Sequence, residues 1–137
     1  MASVANWILI ACGLALVLIG GFFLAVRPPL LPEDARFMGS TLDDIVEAVP
    51  GLTRWLRHVF WVLGGFIAAT GVLVVYVAGT GEPTRDPGAL AVLAVAGVTS
   101  LGWMSVVNFM IGSDFKWALL ALDSLWLIGL ALAAAAP

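Results

Sequence analysis

Residues 7–26 read WILIACGLALVLIGGFFLAV, a stretch without a charged side chain. A bilayer core about 30 Å thick needs roughly 20 apolar residues to be crossed as an α-helix. Three similar stretches follow at residues 59–78, 90–111 and 117–136, and only the last contains a charge, Asp123. Lipid offers the backbone no hydrogen bonds, so spans of this length favour helices over open sheets. The sequence predicts an all-α protein, a single four-transmembrane-helix domain over residues 1–137.

Composition supports a membrane location and excludes several function classes. Hydrophobic residues make up 62% of the chain and charged residues 11%, against about 25% charged residues in soluble domains. The net charge of −3 leaves no basic surface for a phosphate backbone, which argues against a nucleic-acid partner. One His and one Cys, Cys12, exclude the common Cys/His zinc site within one chain. We expect membrane lipids as partners and neither a cofactor nor a metal ion.

Cys12 also ends the sequence Leu9-Ile10-Ala11-Cys12, which matches a lipoprotein cleavage box. The apolar stretch continues well past it, and little chain precedes it. A small thiol packed inside a helix is therefore favoured over lipidation.

The connectors predict the order and orientation of the helices. Short turns at residues 79–83 and 112–116 make successive helices antiparallel neighbours. One side carries Arg27, Arg36, Arg54, Arg57 and Lys116, and the other has only Arg85. Because basic residues concentrate on the cytoplasmic side, we expect both termini outside and the first and third connectors in the cytoplasm.

The first cytoplasmic loop, residues 27–58, is predicted to contain a short amphipathic interfacial helix at residues 41–49. Ser40 or Thr41 can cap this helix, and its apolar positions recur at helical spacing. Its acidic residues, with two arginines that follow, are candidates for contact with lipid headgroups or a partner: Asp43, Asp44, Glu47, Arg54 and Arg57. Asp43 and Glu47 share a face and can hold a hard cation weakly, although a solvated acidic face is the simpler interpretation.

Asp123 is the ionisable residue placed well inside a predicted span. A charge there costs on the order of 3 kcal/mol and is usually paired or functional. The hairpin between the last two helices brings Asp123 near Asn108 and Ser105, and His58 enters from the same side on the second long helix. We therefore predict a buried polar cluster of Asp123, Asn108, Ser105 and His58. This cluster either holds three helices together by hydrogen bonds or accepts protons or cations.

Small residues indicate close helix contacts. They are Gly64, Gly65, Ala68 and Ala69 on the second span and Gly20 and Gly21 on the first. Such residues let helix backbones approach one another. The pattern fits packing within one chain and packing between chains equally well.

Two segments, Leu31–Gly39 and Trp55–Tyr76, resemble those of small bacterial four-helix integral membrane proteins of unknown function. The resemblance implies this fold and a bacterial inner membrane, and it implies no activity.

Three functional hypotheses follow. The sequence shows no paired nucleophile and base and no phosphate-binding loop, so we expect a non-enzyme. The first hypothesis is a small accessory or scaffold subunit of a larger membrane assembly, with other membrane subunits or further copies of itself as partners. The alternative is a small transporter or carrier that uses the cluster around Asp123. A lipid-directed enzyme using Asp43, Asp44 and His58 is the weakest hypothesis.

Overall fold

The computed structural model describes residues 2–136, and every regular element within them is a helix. Four helices are long and apolar enough to cross a membrane: α1 (Ala2–Ala25), α4 (Leu52–Gly79), the helix Pro87–Met110 and α7 (Lys116–Ala134). The third of these consists of α5 (Pro87–Gly97), a π-helical segment (Val98–Gly102) and α6 (Trp103–Met110). The predicted all-α class and the four long apolar helices are confirmed.

Two short helices lie between α1 and α4. The first, α2 (Pro32–Met38), begins with Pro at its first position and ends at Gly39, whose φ of 67° belongs to the left-handed region that favours glycine. The second, α3 (Leu42–Ala48), is capped by Thr41, whose hydroxyl accepts a hydrogen bond from the Asp44 amide at 3.2 Å. The predicted helix at residues 41–49 is therefore present with slightly shorter bounds, while α2 was not predicted.

The closest helix contact joins α1 to α4 through facing glycines. A Cβ added to Gly20 would lie 2.6 Å from the Gly64 carbonyl oxygen, and one added to Gly71 would lie 2.5 Å from the Gly13 carbonyl oxygen. Real Cβ atoms do not approach backbone so closely, so these positions require glycine. The two backbones touch because no side chains separate them.

The remaining long helices join the arrangement through α7. Helix α7 packs on α1, with Gly129 against Ile8 and Leu9, and α5, the π-helical segment and α6 pack on α7. A smaller contact links α4 to α5, and one core of buried side chains joins α1, α4, α5, the π-helical segment and α7. The largest fully buried side chains of the core are Leu9, Leu16, Val74, Leu93, Leu101 and Trp126.

The π-helical segment begins where the third long helix meets Trp126 of α7. The buried indole fits against Gly97, and a Cβ at that position would overlap it. Cys12 is also fully buried in the core. Gly129 and Gly20 thus allow α7 and α4 to pack closely on α1.

Candidate functional site

A polar contact holds the first connector against the turn between α6 and α7. Glu33 of α2 is only 6% exposed, and its carboxylate accepts hydrogen bonds from the Ser113 hydroxyl at 2.9 Å and the Asp114 amide at 3.0 Å. Arg36, one turn further along α2, forms an exposed ion pair with the Asp114 carboxylate at 2.9 Å. These four residues, Glu33, Arg36, Ser113 and Asp114, are termed the Glu33 clasp.

Local sequence explains why Glu33 reaches this position. Pro32 starts α2, and the Asp34 carboxylate accepts a hydrogen bond from the Leu31 amide at 2.8 Å, which fixes the first turn. The Ser113 hydroxyl also accepts a hydrogen bond from the Phe115 amide at 3.1 Å. Glu33 and Ser113 each lie in a turn that its own local hydrogen bond holds. Little further ordering of the backbone is therefore needed to join them.

Arg27, just past the end of α1, is a second charged residue with little exposure, since its side chain is 9% exposed. Its guanidinium lies 3.6 Å from the centre of the Phe60 ring and 3.6 Å from an Asp34 carboxylate oxygen, and it donates a hydrogen bond to the Pro28 carbonyl. Burial lowers the pKa of Arg27, and the nearby Asp34 and Glu33 carboxylates act in the opposite direction. Arg27 thus joins the end of α1 to the first turns of α4.

A cavity of about 300 Å³ opens beside Arg27, between the end of α1 and the start of α4. It is lined by Leu24, Ala25, Val26, Arg27, Pro28, Pro29, Arg57 and Trp61. This space is termed the α1–α4 cavity. Its charged lining residues are both arginines.

The four residues predicted to form a buried polar cluster are not joined by any hydrogen bond or ion pair in residues 2–136. Asn108 donates to the Met104 carbonyl of its own helix at 2.9 Å. The Ser105 hydroxyl is buried and lacks a partner in the described chain. Asp123 is half-buried on α7, close to Gly102 of the π-helical segment.

His58 lies apart from the other three predicted members. It is exposed on α4, whose principal partner is α1, whereas Ser105, Asn108 and Asp123 belong to α6 and α7. Its Nδ1 lies 2.7 Å from the Arg54 carbonyl oxygen, so this nitrogen donates, and its ring meets Trp61 edge to face. The prediction assumed that α4 packs beside α6 and α7, but glycine contacts bind α4 to α1 instead.

The predicted packing residues divide between two faces. Gly20, Gly64 and Ala68 form the α1–α4 contact. Gly21 and Gly65 are exposed with no atom within 4 Å of an added Cβ, and Ala69 is exposed as well. Adjacent residues in a helix point about 100° apart, so two neighbouring glycines cannot both face the same partner.

The predicted acidic residues and the two arginines lie on the surface. Asp43, Asp44 and Glu47 of α3 are exposed, and Asp44 closes the cap by accepting a hydrogen bond from the Thr41 hydroxyl at 2.6 Å. Arg54 and Arg57 are exposed and form no ion pair within residues 2–136. Across the same residues, no group of three or more His, Cys, Asp or Glu side chains could hold a metal ion.

Sequence reasoning missed Glu33 and Arg27. The signal for Glu33 was Pro32 followed by two acidic residues, which is typical of a helix start. The partners of Glu33 lie 80 residues further along the chain, and no periodic pattern connects them. Arg27 was used only as a charge that indicates orientation. The glycine contacts between α1 and α4 also bring it to the Phe60 ring.

No protein-family model matches the chain, and neither a curated protein nor a solved structure matches it.

Proposed function

We propose that this chain is a small, non-catalytic accessory or scaffold subunit of a larger membrane assembly. In this proposal its four long helices form an antiparallel bundle in a bacterial inner membrane. Both termini lie outside, and the first and third connectors lie in the cytoplasm. Helix α3 rests at the membrane surface, and the partners are other membrane subunits or further copies of the chain.

The observation that carries the proposal is the outward face of α4. Gly65 and Ala69 lie one turn apart on this face, away from α1, and larger exposed apolar side chains surround them: Val62, Val72 and Tyr76. Lipid contact alone does not require small residues, whereas contacts between membrane helices are enriched in them. This face therefore suits a partner helix.

The Glu33 clasp supports a docking role for the first connector. Because Glu33 is buried against Ser113, α2 is held beside the turn before α7 rather than left to move freely. Helix α3 follows with its acidic residues exposed, and no residue of α3 is buried. A positively charged segment of a partner is the natural binder for such a surface.

The test is purification of a tagged chain in a mild detergent, followed by mass measurement of what co-purifies. We compare the unmodified chain with Gly65→Leu and with Gly21→Leu, its matched control. Both positions have free space around them, so both variants should fold. We expect Gly65→Leu alone to lose the partner. An unmodified chain that purifies only as a monomer would contradict the subunit proposal.

Asp123 favours a second candidate, a small carrier for protons or cations. Its carboxylate has no hydrogen-bond or ion-pair partner in the described chain and lies beside the π-helical segment, a kind of irregularity often found at functional sites. Asp123→Asn keeps the size of the side chain and removes its charge. A carrier should lose ion flux in proteoliposomes, whereas a structural subunit should keep its assembly state.

A further inference from the structure

The α1–α4 cavity combines positive charge with apolar surface at the end of a span. Its lining contains the positive charges of Arg27 and Arg57 and contains no carboxylate, and its remaining surface is apolar or backbone. Asp34 lies 3.6 Å from Arg27, outside this lining, and Arg57 has no ion-pair partner within residues 2–136. One of the two positive charges is therefore unneutralised.

The helix register brings these two charges to the same level. Gly13 faces Gly71 and Gly20 faces Gly64, so each advance of seven residues along α1 matches a retreat of seven along α4. One further step of seven reaches Arg57 on α4 and Arg27, two residues past the end of α1, and these two residues line the same cavity. The contact of Arg27 with Phe60 agrees with this register.

The length of α4 places this level at the edge of the bilayer core. Its 28 residues extend about 42 Å at 1.5 Å per residue, whereas the apolar core is about 30 Å thick. The charged residues of α4 and His58 are confined to its first seven positions. The excess length therefore lies at this end, where lipid phosphates are found.

We propose that the α1–α4 cavity binds the phosphodiester of an anionic phospholipid, with Arg57 and Arg27 contacting the phosphate oxygens and Trp61 contacting the glycerol region. A guanidinium presents paired N–H donors that match phosphate oxygens. An indole at the membrane interface provides an apolar surface beside a polar edge. The inference rests on the long helices lying in a membrane and does not depend on the subunit role.

The absence of a carboxylate from the cavity lining favours an anionic over a zwitterionic lipid. The ammonium group of phosphatidylcholine would lie near two guanidinium groups with no acidic lining residue to contact. An uncharged glycerol headgroup carries no such repulsion. Phosphatidylglycerol is therefore the natural probe.

The test is native mass spectrometry of the full chain, released from detergent micelles with added phosphatidylglycerol or phosphatidylcholine. The key variant is Arg57→Gln, and its control is Arg54→Gln, because Arg54 is also exposed and unpaired in the described chain but does not line the cavity. We expect the unmodified chain to retain phosphatidylglycerol preferentially. Arg57→Gln should weaken this binding roughly five- to tenfold, while Arg54→Gln should leave it nearly unchanged.

Three results would overturn the proposal. The first is equal weakening by the two variants, which indicates diffuse attraction to the surface. The second is equal retention of the two lipids. The third is displacement of the lipid by inorganic phosphate at millimolar concentration, which indicates a soluble anion. Arg57→Lys keeps the charge and loses the paired N–H donors, so it should bind phosphatidylglycerol with intermediate strength. Circular dichroism checks that Arg57→Lys and Arg57→Gln are folded.

Discussion

The fold buries the Glu33 carboxylate and also supplies it with hydrogen-bond donors. A carboxylate removed from water costs several kcal/mol unless hydrogen bonds replace its hydration. Glu33 receives two, from the Ser113 hydroxyl and from the Asp114 amide. Removing the carboxylate would leave both donors without their partner, whereas the neighbouring ion pair of Arg36 is exposed to solvent.

At the residue scale we therefore predict that Glu33→Ala weakens the clasp by about 2 kcal/mol, which corresponds to roughly thirtyfold faster hydrogen exchange at the Asp114 amide. Exchange measured by mass spectrometry on the detergent-solubilised chain checks this. Arg36→Gln is the control, because an exposed ion pair contributes at most about 1 kcal/mol. Equal acceleration in both variants would show that the buried Glu33 carboxylate stabilises the clasp no more than the exposed ion pair of Arg36 does.

At the element scale, the long helices and α3 could be predicted because their signals are local. The length of the apolar stretches predicts the long helices, and Thr41 followed by Asp44 indicates the start of α3. Helix α2 offered only Pro32 followed by two acidic residues, without a side-chain cap at Leu31, and its Glu33 makes its contacts far along the chain. Helix pairing was also beyond the sequence, since Gly64 and Gly65 look identical until their neighbours are known.

These two adjacent glycines give the prediction for helix packing. A Cβ at Gly64 would lie 2.8 Å from the Gly20 carbonyl oxygen, whereas one at Gly65 meets nothing within 4 Å. Gly64→Ala should therefore destabilise the fold by about 2–3 kcal/mol, because backbone must move to admit the methyl group. Gly65→Ala should be neutral or stabilising by up to about 1 kcal/mol, since alanine favours helix.

Unfolding of both alanine variants in mixed micelles with rising dodecyl sulfate, followed by circular dichroism, measures the difference. The comparison is internally matched, because the substitution is the same and the positions are adjacent. Similar midpoints for the two variants would mean that α1 and α4 do not approach through Gly20 and Gly64.

At the scale of the whole molecule, two independent features concern the sides of the connectors. The hydrogen bond between Glu33 and Ser113 places the first and third connectors together. In the proposed topology this is the cytoplasmic side, because the two connectors and the starts of α4 and α7 carry five of the six basic residues. Arg85 of the second connector is the exception. The candidate site at the end of α1 and the proposed docking surface on α3 lie on that same side.

Cysteine labelling tests this orientation, with a favourable background because the native Cys12 is fully buried. Ser40→Cys probes the first connector and Thr80→Cys the second, and both positions are exposed. In intact bacterial cells, a membrane-impermeant maleimide should label Thr80→Cys, and it should label Ser40→Cys only after lysis, since the bilayer separates the reagent from the cytoplasmic side. The reverse pattern would invert the proposed topology. Labelling of both variants before lysis would mean that α4 does not cross the membrane, and the proposals for a partner helix and a lipid site would lose their common premise.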